Sequence, residues 1–305
     1  MKSALRFFLI LLLCGLCSLP AFSQDKTTAL SATERWASTI AEQYWIQPDI
    51  TYGVANHYTL KLDVWQRKDE KTAVPTLIYY HGGGWIFGDR TGATLLFLPY
   101  LEMGWNVINV EYRMANVSLA PAAVEDCRCA LRWAVRNAKQ YNIDTDRIVL
   151  TGHSAGGHLS LITGMLPEGT GLDNNCDGTE KLRVAAIINW YGISDVSDLV
   201  QGPNRKDYAV MWMGSQPDPL TIAKRVSPLT YVRSGLPPVL SVHGDADPVV
   251  PYDQSTRLHQ ALSAAGVPNE FVTIKGGGHG QFTNRELEDA YQKIRAFLDS
   301  HGLLR

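Results

Sequence analysis

"RIVLTGHSAGGHLSLITGML", Arg147 to Leu166, decides the fold. It opens as a short apolar run with β-branched residues, which reads as a strand buried on both faces. It closes as "GGHLSLITGML", which reads as a helix. Between them "GHSAG" sets Ser154 at the join, with glycines on either side. A serine on so sharp a strand-to-helix turn has its Oγ exposed, and glycines relieve the crowding around it. The other reading is a small residue filling a structural turn, and the rest of the chain has to separate the two.

Working outward, strand-like and helix-like runs alternate. "HYTLKLDVW" alternates residue by residue, whereas "TLIYY" and "VINVEY" are continuous apolar strands. "AVEDCRCALRWAVRNA" places Val124, Cys127, Leu131 and Ala134 at helical spacing. "VAAIINWYG", "PVLSVHG" and "EFVTI" are further strands, with "STRLHQALSAAG" a helix before the last of them. The final helix opens with a capping box, Thr283 and Glu286, and should bury Leu287, Tyr291, Ile294 and Leu298. Buried strands alternating with helices predict an α/β fold with a mostly parallel central sheet and helices on both faces. Residues 24–305 read as a single domain. The irregular stretch 193–235 is long for a plain connection and carries Tyr208, Met211, Trp212 and Met213, so it is expected to form a lid or pocket wall.

Composition excludes little but points somewhere. Across 305 residues the chain is 45% hydrophobic and 19% charged, with a formal charge of -2. Nothing in that balance calls for nucleic acid as a partner. The first 23 residues combine early positive charge, the apolar run "FFLILLLCGLCSL" and the small residues of "AFS". They read as a cleaved secretory signal, with no stable membrane anchor left after cleavage and a secreted or periplasmic location. Three cysteines then remain, Cys127, Cys129 and Cys176. An oxidising compartment allows one disulfide. The two helical cysteines point to different sides, so either Cys127 or Cys129 is expected to pair with Cys176.

Three further motifs carry chemistry. "HGGGW", His81 to Trp85, follows the strand "TLIYY", and its glycines let main-chain N–H groups approach a substrate closely. It lacks the Lys-Ser/Thr ending of a phosphate-binding loop. It is similar to the oxyanion loop of lipases and esterases, which makes Gly83 and Gly84 candidate donors together with the N–H of Ala155. "HGDADPVVP" offers Asp245 and Asp247, and "GGGHG" offers His279, each just after a strand. Ser, then Asp, then His is the order a serine hydrolase on this architecture requires. His279 is the best base. His158 and His259 lie on helices, His243 precedes both aspartates and His301 is terminal, so these read as satisfied or solvated.

Taken together, "HGGGW", "EYRMA…PAAVEDC", "GHSAGG", "HGDADPVVP" and "GGGHG" span most of residues 75 to 285 in one order. On these motifs the chain resembles the α/β-hydrolases of the hormone-sensitive-lipase and bacterial feruloyl-esterase-like group. The resemblance implies an α/β-hydrolase fold and acyl transfer from an ester to water, with no metal or cofactor. It implies Asp247, the aspartate of D-x-x-V-P, as the acid beside His279 and Ser154. Glu111 stands where relatives often have Asp, which touches packing more than chemistry. An acyl ester of a carbohydrate, acetyl or feruloyl, is the preferred substrate, with a general short-chain ester close behind. An arylformamidase-like or peptidase-type amide hydrolase is the alternative, since the same triad serves both. The oligomeric state is left open.

Two expectations concern the surroundings of the site. Trp85, Tyr191 and Trp212, with Trp190 and Tyr208, follow strands or sit in the 193–235 stretch, where ring faces could hold a sugar or a phenolic acyl group. The bland alternative is that they fill the core. "DNNCDG", Asp173 to Gly178, imitates the start of an EF-hand loop, but Val184 occupies the position of the bidentate glutamate, so a surface loop is the better reading.

Overall fold

A computed structural model describes residues 30–304, so the proposed signal segment 1–23 lies outside the described residues. Two units are distinguished, Met1–Ser38 and Thr39–Arg305, and helix α1 (Ala32–Gln43) begins in the first and ends in the second. The second unit holds the sheet.

Eight strands form it: β1 (Tyr44–Ala55), β2 (Tyr58–Arg67), β3 (Val74–Tyr80), β4 (Asn106–Val110), β5 (Ile143–His153), β6 (Ala186–Trp190), β7 (Val239–Gly244) and β8 (Asn269–Ile274). Their spatial order is β1-β2-β4-β3-β5-β6-β7-β8. β1 pairs antiparallel with β2 and β2 antiparallel with β4, and every later pair is parallel. The continuous apolar runs account for the middle of the sheet, because every residue of β3, β4, β6 and β7 is buried. Burial on both faces needs helices on both faces. The strand period of two then divides the side chains: Ile78, Tyr80, Ile148 and Leu150 join one core cluster, Leu77, Tyr79 and Val149 a second, and Ile187 and Val239 a third.

The helices after α1 are α2 (Leu98–Glu102), α3 (Ala122–Arg136), α4 (Ala155–Met165), α5 (Val196–Val200), α6 (Asp207–Met213), α7 (Pro219–Arg225), α8 (Asp253–Ala264) and α9 (Asn284–Ser300). Helix α3 buries Val124, Cys127, Leu131 and Ala134, as their spacing predicts. The capping box of α9 forms with both of its bonds: Thr283 N–H donates to Glu286 at 2.7 Å and Glu286 N–H to Thr283 Oγ1 at 3.3 Å. Its buried face is Ala290, Ile294, Phe297 and Leu298, rotated from the expected one, so that Leu287 and Tyr291 are only half-buried. Tyr291 sits at the edge because its hydroxyl donates to the Leu96 carbonyl.

β1 was not legible as a strand. It is an outer strand with few buried residues, and its pairing slips between Gln47 and Ile50, where Pro48 and the positive-φ Asp49 stand. An edge strand with a proline-containing bulge shows no clean alternation. The 193–235 stretch contains α5, α6 and α7 rather than a plain loop.

The disulfide joins Cys129 to Cys176, and Cys127 stays a buried thiol within the core. Two residues apart on α3, one cysteine faces the sheet and the other the loop. In that loop the Asp173 carboxylate, which opens the EF-hand look-alike, is held by Arg128 at 3.1 Å and Arg132 at 2.9 Å.

Candidate active site

β5 ends at His153 and α4 starts at Ala155, leaving Ser154 alone at the turn with φ 57° and ψ -118°. Such a backbone costs a non-glycine residue about 1–3 kcal/mol and survives only where its surroundings dictate it. They do so here. Ser154 N–H donates to the Trp190 carbonyl at 2.9 Å, and its own carbonyl accepts from His158 N–H at 3.0 Å. A Cβ on Gly152 would lie 2.3 Å, and one on Gly156 2.0 Å, from the Tyr80 carbonyl oxygen. The glycines are there because the end of β3 runs directly beneath the turn.

That same approach delivers the glycine loop. Tyr80 is paired with Gly152, so His81 to Trp85 leave β3 beside Ser154. Gly83 (φ 120°) and Gly84 (φ 58°) turn sharply, and a Cβ on Gly83 would collide with the Phe87 carbonyl at 1.8 Å. Ala155 is the first residue of α4, where helix geometry leaves an N–H without an intrahelical acceptor.

Asp247 and His279 arrive from the far side. The turns after β7 and β8 abut: a Cβ on Gly244 would lie 2.1 Å from the Gly277 carbonyl, and Ala246 N–H donates to that carbonyl at 3.1 Å. The contact brings Asp247 to His279, whose Nδ1 donates to Asp247 Oδ2 at 2.7 Å. With Nδ1 carrying the hydrogen, the neutral ring keeps Nε2 as an acceptor. Asp247 Oδ1 accepts from the N–H groups of Val249 and Val250 at 2.8 and 2.9 Å. Asp245 serves its own turn, accepting from Gly276 N–H, and is exposed. Of the two aspartates, the structure thus places Asp247 on His279. Burial of its carboxyl works against the charge. Hydrogen bonds from His243 and His279, the charge His279 acquires and the Val250 N–H outweigh this and hold Asp247 well below the usual carboxylate range.

Ser154, His279, Gly83 and Gly84 line one cavity of about 380 Å³, together with Gly82, Phe87, Leu96, His153, Tyr191, Tyr208 and Val249. Its mouth is apolar, with Phe87 and Leu96 exposed. Beside Ser154, His153 is buried against Trp190 and shares a 2.9 Å hydrogen bond with the Tyr79 hydroxyl. Burial, reinforced by the charge of His279, pushes it down to about 3, so it is a neutral wall. A larger cavity, about 570 Å³, is lined by Arg128, Asp146, Arg147 and Arg233 and touches none of the residues named above for the site. It opens where the core segments of β5 and β7 begin, away from the ends that carry Ser154 and Asp247.

The aromatic expectation divides. Tyr191 lines the cavity, with its ring 4.7 Å from that of His279. Trp85 and Trp212 do not line it: both are fully buried and stacked on each other at 4.1 Å. Trp85 has φ 62°, which turns its side chain inward, and its indole N–H donates to His158 Nδ1 at 3.1 Å. Trp190 is buried behind His153. Tyr208, one turn before Trp212 on α6, is the residue of the 193–235 stretch that reaches the cavity. Its side chain packs near Gly84 and its hydroxyl donates to the Val249 carbonyl at 3.1 Å, so it bridges the glycine loop and the acid loop. A pocket wall is therefore present in that stretch, supplied by a tyrosine and not by the tryptophan. The sequence reading also missed a contact of His243, which is buried with Nε2 3.1 Å from Asp247 Oδ2.

Comparison with known proteins finds esterases. The family model described as BD-FAE matches residues 62–262. The chain is 32% identical over 227 residues to Esterase LipQ of Mycobacterium tuberculosis, covering 72% of this chain and 53% of that protein. It thus spans about half the length of that relative. An acetyl esterase of Salmonella paratyphi B is 26% identical, over 69% of this chain and 66% of its own. Among solved structures, a truncated carbohydrate esterase from gut microbiota superposes with TM-score 0.70 at 28% identity, covering 83% of this chain and 96% of that one. Esterase 2 of Thermogutta terrifontis superposes with TM-score 0.71 at 26% identity, over 85% and 93%.

Proposed function

The chain belongs to the BD-FAE family of α/β-hydrolases, and from the geometry of its site we propose that it is a serine hydrolase of carboxylic esters. One observation carries the reading. His279, bonded to the buried Asp247 carboxylate at 2.7 Å, lines the same cavity as a serine held on a strained turn and a glycine loop beside it. Ser154 Oγ attacks the ester carbonyl and gives its proton to His279 Nε2, while Asp247 holds the ring by Nδ1 and stabilises the imidazolium. The N–H groups of Gly83, Gly84 and Ala155 receive the oxyanion. His279 then protonates the departing alcohol, and the acyl-enzyme is hydrolysed by a water that His279 activates.

The proposed substrates are acyl esters of carbohydrates, acetyl or feruloyl. The cavity of about 380 Å³ lies in the usual range for small-molecule sites. Its apolar wall suits an acyl group, and the open mouth leaves a bulky alcohol outside. The names of the carbohydrate esterase and the acetyl esterase support the same class. Export is proposed with it, and the Cys129–Cys176 disulfide supports an oxidising location.

The test is a hydrolysis panel: acetylated xylo-oligosaccharide, methyl ferulate, p-nitrophenyl esters of rising chain length and an N-formyl amide. Ester turnover is expected, and Ser154→Ala should lower it by about 10⁴-fold or more. Turnover confined to the amide would replace this reading with an amide hydrolase, and undiminished turnover by Ser154→Ala would remove Ser154 from the chemistry.

A further inference from the structure

His243 is the penultimate residue of β7, and its side chain is fully buried. Nε2 lies 3.1 Å from Asp247 Oδ2 and 3.1 Å from the Val250 carbonyl, while Nδ1 lies 2.7 Å from Ser255 Oγ on α8. A carboxylate and a carbonyl only accept, so Nε2 carries a hydrogen. In the neutral ring Nδ1 then accepts from the Ser255 hydroxyl. Asp247 Oδ2 therefore receives two imidazole N–H groups, one from His279 at 2.7 Å and one from His243 at 3.1 Å.

The geometry points to His243 as a positioning residue that sets the basicity and aim of His279 through Asp247, with Ser255 polarising it from behind. This rests on the Ser154–His279–Asp247 reading above. Two donors on one oxygen divide its charge. The share taken by His243 is withheld from the imidazolium that His279 becomes during the reaction, and the second bond keeps Oδ2 pointed at Nδ1. Without His243 the carboxylate pairs more strongly with protonated His279 but is held less firmly. His279 then keeps its proton to higher pH, and the acid limb of kcat/KM moves up.

The groups facing this pair are few. The Tyr191 ring lies 4.7 Å from that of His279 and 6.5 Å from that of His243, and Tyr252 lies 5.7 Å from His243. The charge of Asp247 helps raise the Tyr208 phenol, and that of His279 helps lower the His153 imidazole. Burial raises the Tyr191 and Tyr208 phenols and lowers the His153 imidazole, so these three are neutral across the working range.

The two short amides separate the two ends of the ring. His243→Asn can keep a partner for Ser255 but does not reach Asp247, whereas the amide nitrogen of His243→Gln replaces Nε2–H. The full chain is assayed on a p-nitrophenyl ester from pH 5 to 9, with thermal melts to confirm folding and Ser154→Ala as control. His243→Asn is expected to raise the acid limb by about half a pH unit or more. It should lower kcat about tenfold and leave KM within about twofold. His243→Gln should restore the limb and most of kcat, and Ser255→Ala should shift the limb in the same direction by less. A folded His243→Asn with an unmoved limb and unchanged kcat overturns the inference, as does His243→Gln shifting the limb as far as Asn. If His243→Asn does not fold, an unmoved limb in Ser255→Ala overturns it instead. Activity retained by Ser154→Ala would be a different failure: it overturns the proposed function, and the role of His243 falls with it.

Discussion

The two sides of Ser154 are built from different materials. On the donor side, main chain abuts main chain: Gly152 and Gly156 lie against the Tyr80 carbonyl, Gly82 against that of His153 and Gly83 against that of Phe87. On the acid–base side the turns also abut, Gly244 against the Gly277 carbonyl, but the working groups are held by side-chain hydrogen bonds, from His279 and His243 to Asp247 and from Ser255 to His243. The first arrangement is held by exclusion, since any Cβ would collide. The second is held by an inventory of protons. A change at a donor-side glycine should therefore break the fold along with the activity, whereas a change at an acid–base side chain should break the chemistry and leave the fold standing.

The sharpest way to test that contrast is Asp247→Asn. It keeps the shape but removes the charge and the tautomer control. Ester turnover should fall by about 10⁴-fold, while the variant still melts cooperatively at a temperature below wild type because the carboxylate's stabilisation is lost. A variant that instead unfolds would show that Asp247 is chiefly structural. Gly156→Ala probes the other side. Its Cβ would sit 2.0 Å from the Tyr80 carbonyl, deep in the core. A loss of about 4 kcal/mol or more is expected in chemical denaturation. If the protein tolerates it with a loss near 1 kcal/mol, a typical single-mutation cost, the close approach is not what the glycine serves.

Acid should weaken both sides by separate routes. His153 is pushed from 6.5 down to about 3 by burial and by the charge of His279, and His158 to about 4 by burial, against the pull of its bond to the Val226 carbonyl. Both are neutral in the fold and take up protons near their ordinary value when unfolded. Their contribution is complete above pH 6.5 and is lost as pH falls toward 4, at about 1.4 kcal/mol per pH unit for each. Asp247, held low, adds a loss that begins only below 3.8. Denaturation midpoints from pH 7 to 4 should therefore fall in wild type and fall less steeply in His158→Gln. Equal slopes would mean that His158 takes up no proton on unfolding.

The smallest expected effect concerns the tryptophan layer behind the donor loop. Trp212 stacks on Trp85, and its indole nitrogen has no hydrogen-bond partner among the described residues. Trp212→Phe should cost about 1–2 kcal/mol through lost packing and leave KM within about twofold. A many-fold rise in KM without destabilisation would return Trp212 to the substrate.

The unequal construction also accounts for what could be read from the chain. The donor side is local: a strand, a tight turn and a helix follow one another, so "GHSAG" and "HGGGW" announce their own geometry. The acid–base side assembles from turns far apart in sequence, and there the reading stopped at alternatives. Asp245 and Asp247 are two residues apart in one turn, and the residues alone do not tell which of them meets His279. His243 carried no signal beyond its place before a glycine, because its role depends on a carboxylate and a hydroxyl that other elements bring to it.

By itself the sequence determined the α/β architecture, the order of the central strands and the helices beside them, and which serine and histidine to propose for the site. Periodicity and turn chemistry act within a few residues and so are written along the chain. Tertiary structure alone decided which cysteine bonds to Cys176, which way Trp85 and Trp212 face, that Tyr208 closes the pocket wall, and that Asp247 serves two histidines. Each of these is a choice among neighbours on one element, and it is settled by which distant side chain arrives within bonding distance.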